Sequence, residues 1–295
     1  MATICGLTPC LMLDNTRDIN KKSITSNMAH LELNAWALYD QGFTEQDYIE
    51  GCEHIANEPS RAGWVKARNG LLKWFYNSDY DYAFWIDANS TLSKPTINDA
   101  RTIVDALKAD KLSDCDAIFG TLGMWVSQDR IIAKSQDDFM QNVHLIPAKN
   151  NKSYNWMHGL FIKNFKKYYS QEFYIDERCD TLQGIPEDVY FARLLRKFAS
   201  CWVAPTVVCN KPTSKHSCTM DNGKGTYEYP PVLFDVVDSY ILDSADKHKY
   251  KICNPYKVAN EIILPRGDYM RDLIKPYVPR GNKKQTTDNS RVSLF

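Results

Sequence analysis

Asp87 and Asn89 stand one residue apart at the end of an apolar, aromatic run, Tyr82-Ala83-Phe84-Trp85-Ile86. A carboxylate and a carboxamide at that spacing suit a hard divalent cation, Mg2+ or Mn2+, that also holds substrate phosphates. An equally simple reading has Asp87 capping the turn that follows. A second chemical pair, Glu187-Asp188, opens a helical stretch behind Gly184-Ile185-Pro186. Two adjacent carboxylates can push one pKa into the range of a general base. They are also ordinary first-turn acids, favoured by the helix dipole. Basic-aromatic clusters occur at 163–169, with Lys166 and Lys167, and at 247–251. Such clusters can pair with phosphates, and equally they can be solvated faces.

These residues need elements to carry them. The run at 82–86 is short and bounded by Asp79, Asp81 and Pro95, so it reads as a buried strand. Residues 2–13 read as a first strand, with Asp14 and Arg17 at its end. Apolar spacing predicts helices over 26–40, 61–74 and 97–112, and a strand over 115–122. The polar stretch 44–60 fits a strand or a helix. The alternation argues for a parallel, doubly wound sheet in the first half, where strand ends deliver Asp87 and Asn89 to a crevice. In the second half, 156–162 reads as a short strand at a tight turn, 189–198 as a helix with Pro186 near its start, and 201–209 as a strand. Beyond Lys211 the chain reads as loop-rich, with a polar tail at 281–290 expected to be poorly ordered.

Composition narrows the class. The 295 residues include 44% hydrophobic side chains, enough for a real core, and 36 basic residues balance 36 acidic ones. Zero formal charge removes a global attraction to nucleic acid or anionic membrane, while local patches remain open. No stretch approaches the length of a membrane span, and residues 1–13 lack the basic leader of a signal peptide. Nine scattered cysteines without a Cys-x-x-Cys pair fit reduced thiols and a cytoplasmic setting better than disulfides or a zinc site.

Three segments in order then carry a resemblance. They are the stretch from Arg61 through Arg68-Asn69 into Ile86-Asp87-Ala88-Asn89, the stretch His158-Gly159-Leu160-Phe161-Ile162, and Gly184-Ile185-Pro186-Glu187-Asp188-Val189-Tyr190. Together they resemble the GT-A glycosyltransferases, especially family-2-like enzymes that use nucleotide-diphospho-sugars. The resemblance covers residues 2–218 and implies a GT-A-like, Rossmann-like α/β fold: a mostly parallel sheet flanked by helices. It divides the chain into a domain at 1–220 (nucleotide-sugar half 1–125, acceptor half 126–220) and a loop-rich C-terminal extension at 221–295. Asp87 and Asn89 match the Asp-x-Asp that holds the metal, with Asn89 a departure that removes one charge, and His216 is implied as a further metal ligand. Asp188 matches the base of inverting members, and Glu187 is its neighbour. Asp14, Arg17, Arg68, Asn69 and Lys215 are implied on the nucleotide sugar, a UDP-sugar by preference. Trp156, His158, Lys166 and Lys167 are implied on the acceptor side.

The implied activity is metal-dependent transfer of a sugar to an acceptor hydroxyl, with inversion. The overall character is similar to bacteriophage-encoded members, which points to hydroxymethylated pyrimidines in double-stranded DNA as acceptor, in the host cytoplasm. The alternatives are transfer to a protein or surface glycan, a nucleotidyltransferase of the same fold class, or an inactive carbohydrate-binding protein. Gly6-Leu7-Thr8-Pro9 lacks the glycine-rich basic loop that a nucleotidyltransferase needs. Asn89 is the best support for inactivity, and the intact Asp87 and Asp188 are its best objection.

Overall fold

A computed structural model describes residues 1–12, 16–42, 44–58, 63–92, 97–122, 141–148, 159–180, 187–210, 231–254 and 261–266. The expected roles of Asp14, Trp156, His158, Lys215 and His216, and the tail at 281–290, fall outside these residues.

The chain opens with β1 (Ile4–Leu11), α1 (Arg17–Leu31), β2 (Ala35–Gln41), a 3-10 turn at Glu45–Asp47 and β3 (Glu53–Glu58). Next come α2 (Trp64–Tyr76), β4 (Tyr82–Trp85), β5 (Thr91–Leu92), α3 (Ile97–Lys108) and β6 (Ala117–Leu122). The later elements are β7 (Asn142–Pro147), β8 (Leu160–Lys163), α4 (Phe165–Tyr169), a 3-10 turn at Glu177–Asp180 and α5 (Glu187–Phe198). They are followed by β9 (Cys201–Asn210), α6 (Pro231–His248) and β10 (Ile262–Pro265).

Ten strands of the described residues form one sheet in the order β10-β7-β9-β6-β8-β4-β1-β2-β3, with β5 paired to β9. From β3 to β4 every pairing is parallel. Beyond β4 the sheet is mixed, because β8 runs antiparallel between β4 and β6 and β7 runs antiparallel to β9. The doubly wound half is therefore as expected, and the second half departs from a mostly parallel sheet.

Side chains alternate across the strands and make two cores. On one face Leu7, Ala83, Trp85 and Phe119 pack with Leu71 and Phe75 of α2, Tyr190 and Leu194 of α5, and Val237 and Ile241 of α6. On the other, Trp36, Phe84, Ile86 and Phe161 pack with Ile24 of α1 and Ile103 of α3. The position of α2 against β2 requires Gly70, where a Cβ would stand 2.4 Å from the Tyr39 ring.

Two expectations give way to the structure. The helix expected over 26–40 ends at Leu31, where Glu32 takes the left-handed conformation (φ 49°) and its N–H bonds to the Met28 carbonyl. Residues Ala35–Gln41 form a strand, since Trp36, Ala37 and Leu38 are buried between two parallel neighbours. Residues Asn142–Pro147, for which the sequence suggested no element, form β7, whose Val143 and Leu145 are fully buried. Past Lys211, where the chain reads as loop-rich, the described residues include α6, which packs in the same core as α5, and β10, which pairs with β7.

Candidate active site

The C-terminal ends of β1, β4, β6 and β9 share one edge of the sheet. Asp87 lies there, just past β4, with 6% of its surface exposed. Its carbonyl accepts from the Ser90 amide at 3.0 Å, closing a turn that leaves Asn89 half-exposed. Asn27 of α1 holds this turn from below: its Nδ2 donates to the Ser90 carbonyl at 2.8 Å and its Oδ1 accepts from the Leu92 amide at 3.2 Å. Asp87 thus does lead into a turn, but its side chain is turned elsewhere.

That side chain meets Arg68. Because α2 leads into the start of β4, its N-terminal half lies beside the strand's C-terminal edge. The Arg68 guanidinium stands over the Trp85 ring, 5.7 Å from its centroid, and donates from Nη2 to Asp87 Oδ1 at 3.3 Å. On its other side Nε forms an ion pair with Glu187 Oε1 at 3.0 Å. Arg68 is 3% exposed, and burial alone would lower its pKa. Asp87, Glu187 and Asp188 together outweigh that and hold it above its ordinary value. Three carboxylates therefore converge on one guanidinium. Asp188 is buried at 5% exposure, and its Oδ1 accepts from the Val189 amide at 2.8 Å at the start of α5.

Beneath this group Gly159, the residue before β8, has φ +67°. A Cβ there would come within 2.9 Å of Cys209 Sγ, so the backbone crosses β9 closely at the floor of the site. The Cys209 thiol, fully buried and pushed up to about 12 chiefly by desolvation, is an inert packing group.

Several other expected residues are placed elsewhere. Arg17 starts α1 at the same edge, but it pairs with the buried Asp47 and donates to the Met12 carbonyl at 3.3 Å. Asn69 uses both ends of its amide on the backbone of Ile175. Lys166 and Lys167 lie at the other end of the sheet. Lys163 is in register with Tyr82, the first residue of β4, so α4 emerges roughly 20 Å from Asp87 at ~3.3 Å per residue. There Lys166 pairs with Glu172 at 2.7 Å and Lys167 with Asp81 at 2.8 Å. The 247–251 cluster joins the same far region, where the Gln171 amide bonds both the carbonyl and the N–H of Lys251 at 3.0 and 2.6 Å.

No protein-family model matches the chain, and no curated protein matches its sequence. Among solved structures, S. aureus TarS 1-349 in complex with UDP-GlcNAc superposes with TM-score 0.51 at 14% identity, covering 84% of this chain and 68% of that one. The UDP complex gives 0.47 at 13% identity over 83% and 72%, and TarS 1-349 alone gives 0.46 at 13% over 71% and 60%. This chain thus spans between 60% and 72% of the length of those TarS structures. The likeness at this level is one of fold, and the fold is the GT-A-like α/β architecture expected from the three segments.

Whether the site suits a divalent cation can be judged from its donors. Asp87 and Asn89 offer hard oxygens beside two further carboxylates, so the chemistry fits. Among the described residues no group of three His, Cys, Asp or Glu side chains could hold a metal on its own.

Sequence reasoning named Arg68, Asp87, Glu187 and Asp188 separately, and it assigned Arg68 to the nucleotide. It missed the Arg68 bridge between the two acidic motifs and the Trp85 ring beneath it. The available signal was a lone arginine on the apolar stripe of α2, one that a soluble helix would normally turn outward.

Proposed function

We propose that the protein is a glycosyltransferase that moves a sugar from a nucleotide-diphospho-sugar, of the UDP-sugar class, to an acceptor hydroxyl. The observation that carries this reading is the meeting of Asp87, Arg68, Glu187 and Asp188 at the ligand-bearing edge of a GT-A-like sheet. The solved TarS complex that shares this fold contains UDP-GlcNAc, which supports the donor class.

In this reading Asp188 takes the proton of the acceptor hydroxyl onto a carboxylate oxygen. The freed oxygen forms a bond to the anomeric carbon as the bond from that carbon to the diphosphate oxygen breaks, and the nucleoside diphosphate leaves. Attack opposite the leaving group inverts the anomeric centre. Arg68 supplies a fixed positive charge beside the departing diphosphate and holds Glu187 away from the acceptor. Asp87 and Asn89 would hold a Mg2+ or Mn2+ ion, which supplies Lewis-acid neutralisation of the leaving group.

The acceptor expected from the sequence was a hydroxymethylated pyrimidine in DNA. Its support was the similarity to bacteriophage-encoded members and the basic clusters at 163–169 and 247–251, with a third at 280–284 that lies outside the described residues. Lys166 and Lys167 are charge-paired, and both clusters lie away from the site edge, which favours an acceptor hydroxyl on a protein or glycan. No helix among the described residues is long and apolar enough to cross a membrane. The test is incubation with Mn2+ and a panel of UDP-sugars in the presence of hydroxymethylcytosine duplex, plain duplex, or glycan and protein acceptors, with products weighed by mass spectrometry. Transfer to any hydroxyl with release of UDP supports the reading. Failure to bind UDP or any nucleotide sugar removes it.

A further inference from the structure

Arg68 can bridge Asp87 and Glu187 only if α2 and α5 are held at one separation and one rotation. The helices themselves do not do this alone. The segment 173–180 runs along α2 and is bonded to it at three places on one helical face. The Tyr76 hydroxyl donates to the Phe173 carbonyl at 3.1 Å, and the Val65 amide donates to Asp180 Oδ1 at 3.2 Å. Between them, Asn69 Nδ2 donates to the Ile175 carbonyl at 2.8 Å while Asn69 Oδ1 accepts from the Ile175 amide at 2.9 Å. A carboxamide bonding one residue's N–H and C=O imitates a neighbouring strand, and it demands both a donor and an acceptor at fixed reach.

The other side of the segment grips the remaining helices. Tyr190 of α5 donates to Ser244 of α6 at 3.0 Å, and Ser244 donates to Asp176 Oδ2 at 3.0 Å. Arg178 pairs with Asp243 at 2.9 Å and stacks 3.9 Å above the Tyr240 ring. Tyr190 lies one turn along α5 from Glu187. The contacts therefore run from Arg68's own helix, through Asn69 and the 173–180 segment, into the helix that presents Glu187 and Asp188.

We propose that Asn69 is a positioning residue, which clamps α2 to the 173–180 segment and thereby sets where Arg68 meets Asp87 and Glu187. Its carboxamide is committed to the backbone and is not a ligand for the nucleotide. The kinetic consequence rests on the transferase reading; the geometric one does not.

The experiment records the Arg68 Nε–H resonance by 15N NMR, assigned by its loss in R68M, and its exchange with solvent. Three variants of the full chain are compared with the parent: N69L, N69D and N34A. Asn34 Oδ1 accepts from the Ile4 amide at 2.8 Å, tying the start of β2 to β1, so N34A serves as a general destabilisation control. The expected result is loss of protection and a shifted resonance in N69L. N69D, which keeps the acceptor for the Ile175 amide and loses the donor, should show a partial change. N34A should leave the resonance in place at a comparable fall in Tm. An unmoved resonance in N69L, or in N69D should N69L fail to fold, overturns the proposal, as does an equal response in N34A. With an acceptor in hand, N69L should lower kcat by roughly 10²-fold, the penalty for misplacing a group by about 1 Å, with donor KM little changed. A moved resonance together with no transfer from any sugar nucleotide keeps the positioning role and removes the transferase reading.

Discussion

Replacing Arg68 with methionine keeps an unbranched stem over Trp85 and deletes only the charge and its donors. At 3.0 and 3.3 Å the two carboxylate contacts are each worth about 5 kcal/mol of gross attraction at an effective dielectric near 20. Burying the guanidinium at 3% exposure cancels much of that, so the pairs add little net stability. Removing the cation alone is different, because Asp87, Glu187 and Asp188 are left to repel one another. The expected cost is about 3–5 kcal/mol, the usual loss when one partner of a buried pair is deleted. Urea denaturation at pH 7 measures it. A second substitution, Glu187→Gln in the Arg68→Met background, should restore part of the loss, since it removes one of the orphaned charges. Mn2+ should also raise the midpoint of the single variant more than that of the parent, because a divalent ion and the guanidinium compete for the same carboxylates. A loss under about 1 kcal/mol, with no recovery in the double variant, would show that Arg68 is not the charge on which this site is built.

Asp188→Asn should leave UDP affinity near that of the parent and lower turnover by roughly 10²–10⁴-fold, the range for a lost general base, read by initial rates with a saturating donor. Asn89→Asp restores a charged oxygen beside Asp87 and should tighten Mn2+ binding, as followed by electron paramagnetic resonance of free Mn2+ in the presence of UDP. At the far edge, burial would raise the Asp81 carboxyl, but Lys167, the Thr3 amide and Tyr168 hold it down at about 2 against an ordinary 3.8. A depressed carboxylate stabilises the fold above about pH 4, and that contribution is lost as pH falls through about 2. Asp81→Asn should flatten the acid limb of stability in that window by at most about 2 kcal/mol, and by less because Lys167 is 43% exposed and screened.

The parts of the fold that were legible are those whose local pattern and tertiary role agree. Glu187–Phe198 has a proline before it, acids in its first turn and a clean apolar stripe, and it is a helix. Cys201–Asn210 is an unbroken apolar run, and it is a buried strand. Ala35–Gln41 misled because Trp36, Leu38 and the preceding Leu31 and Met28 happen to fall at helical spacing, while burial on both faces of a parallel sheet erases the alternation that marks a strand. Helix α6 was hidden by Pro230-Pro231 and by acids scattered along it, although Pro231 merely begins it. At the site, the residue types were readable and their partners were not. Nothing near Arg68 in the sequence announces Glu187, and nothing near Asn69 announces Ile175. Such pairings exist only once the sheet has brought α2, α5 and the 173–180 segment together.

The ends of the sheet carry a consequence of their own. Among the described residues β3 and β10 are the outermost strands. β3 presents Glu53 and Glu58 on a half-exposed strand, charges that discourage a second chain from docking alongside. β10 is only four residues long and finishes in Pro265, which has no N–H to offer. Behind it, β7 carries the buried Val143 and Leu145. A shortened chain that stopped before residue 261 would therefore leave the outer amides and carbonyls of β7, from Asn142 to Leu145, without the strand they pair with. Strand-to-strand self-association, and with it poor solubility, would be the first defect of such a truncation, well before any loss at Asp87 or Asp188.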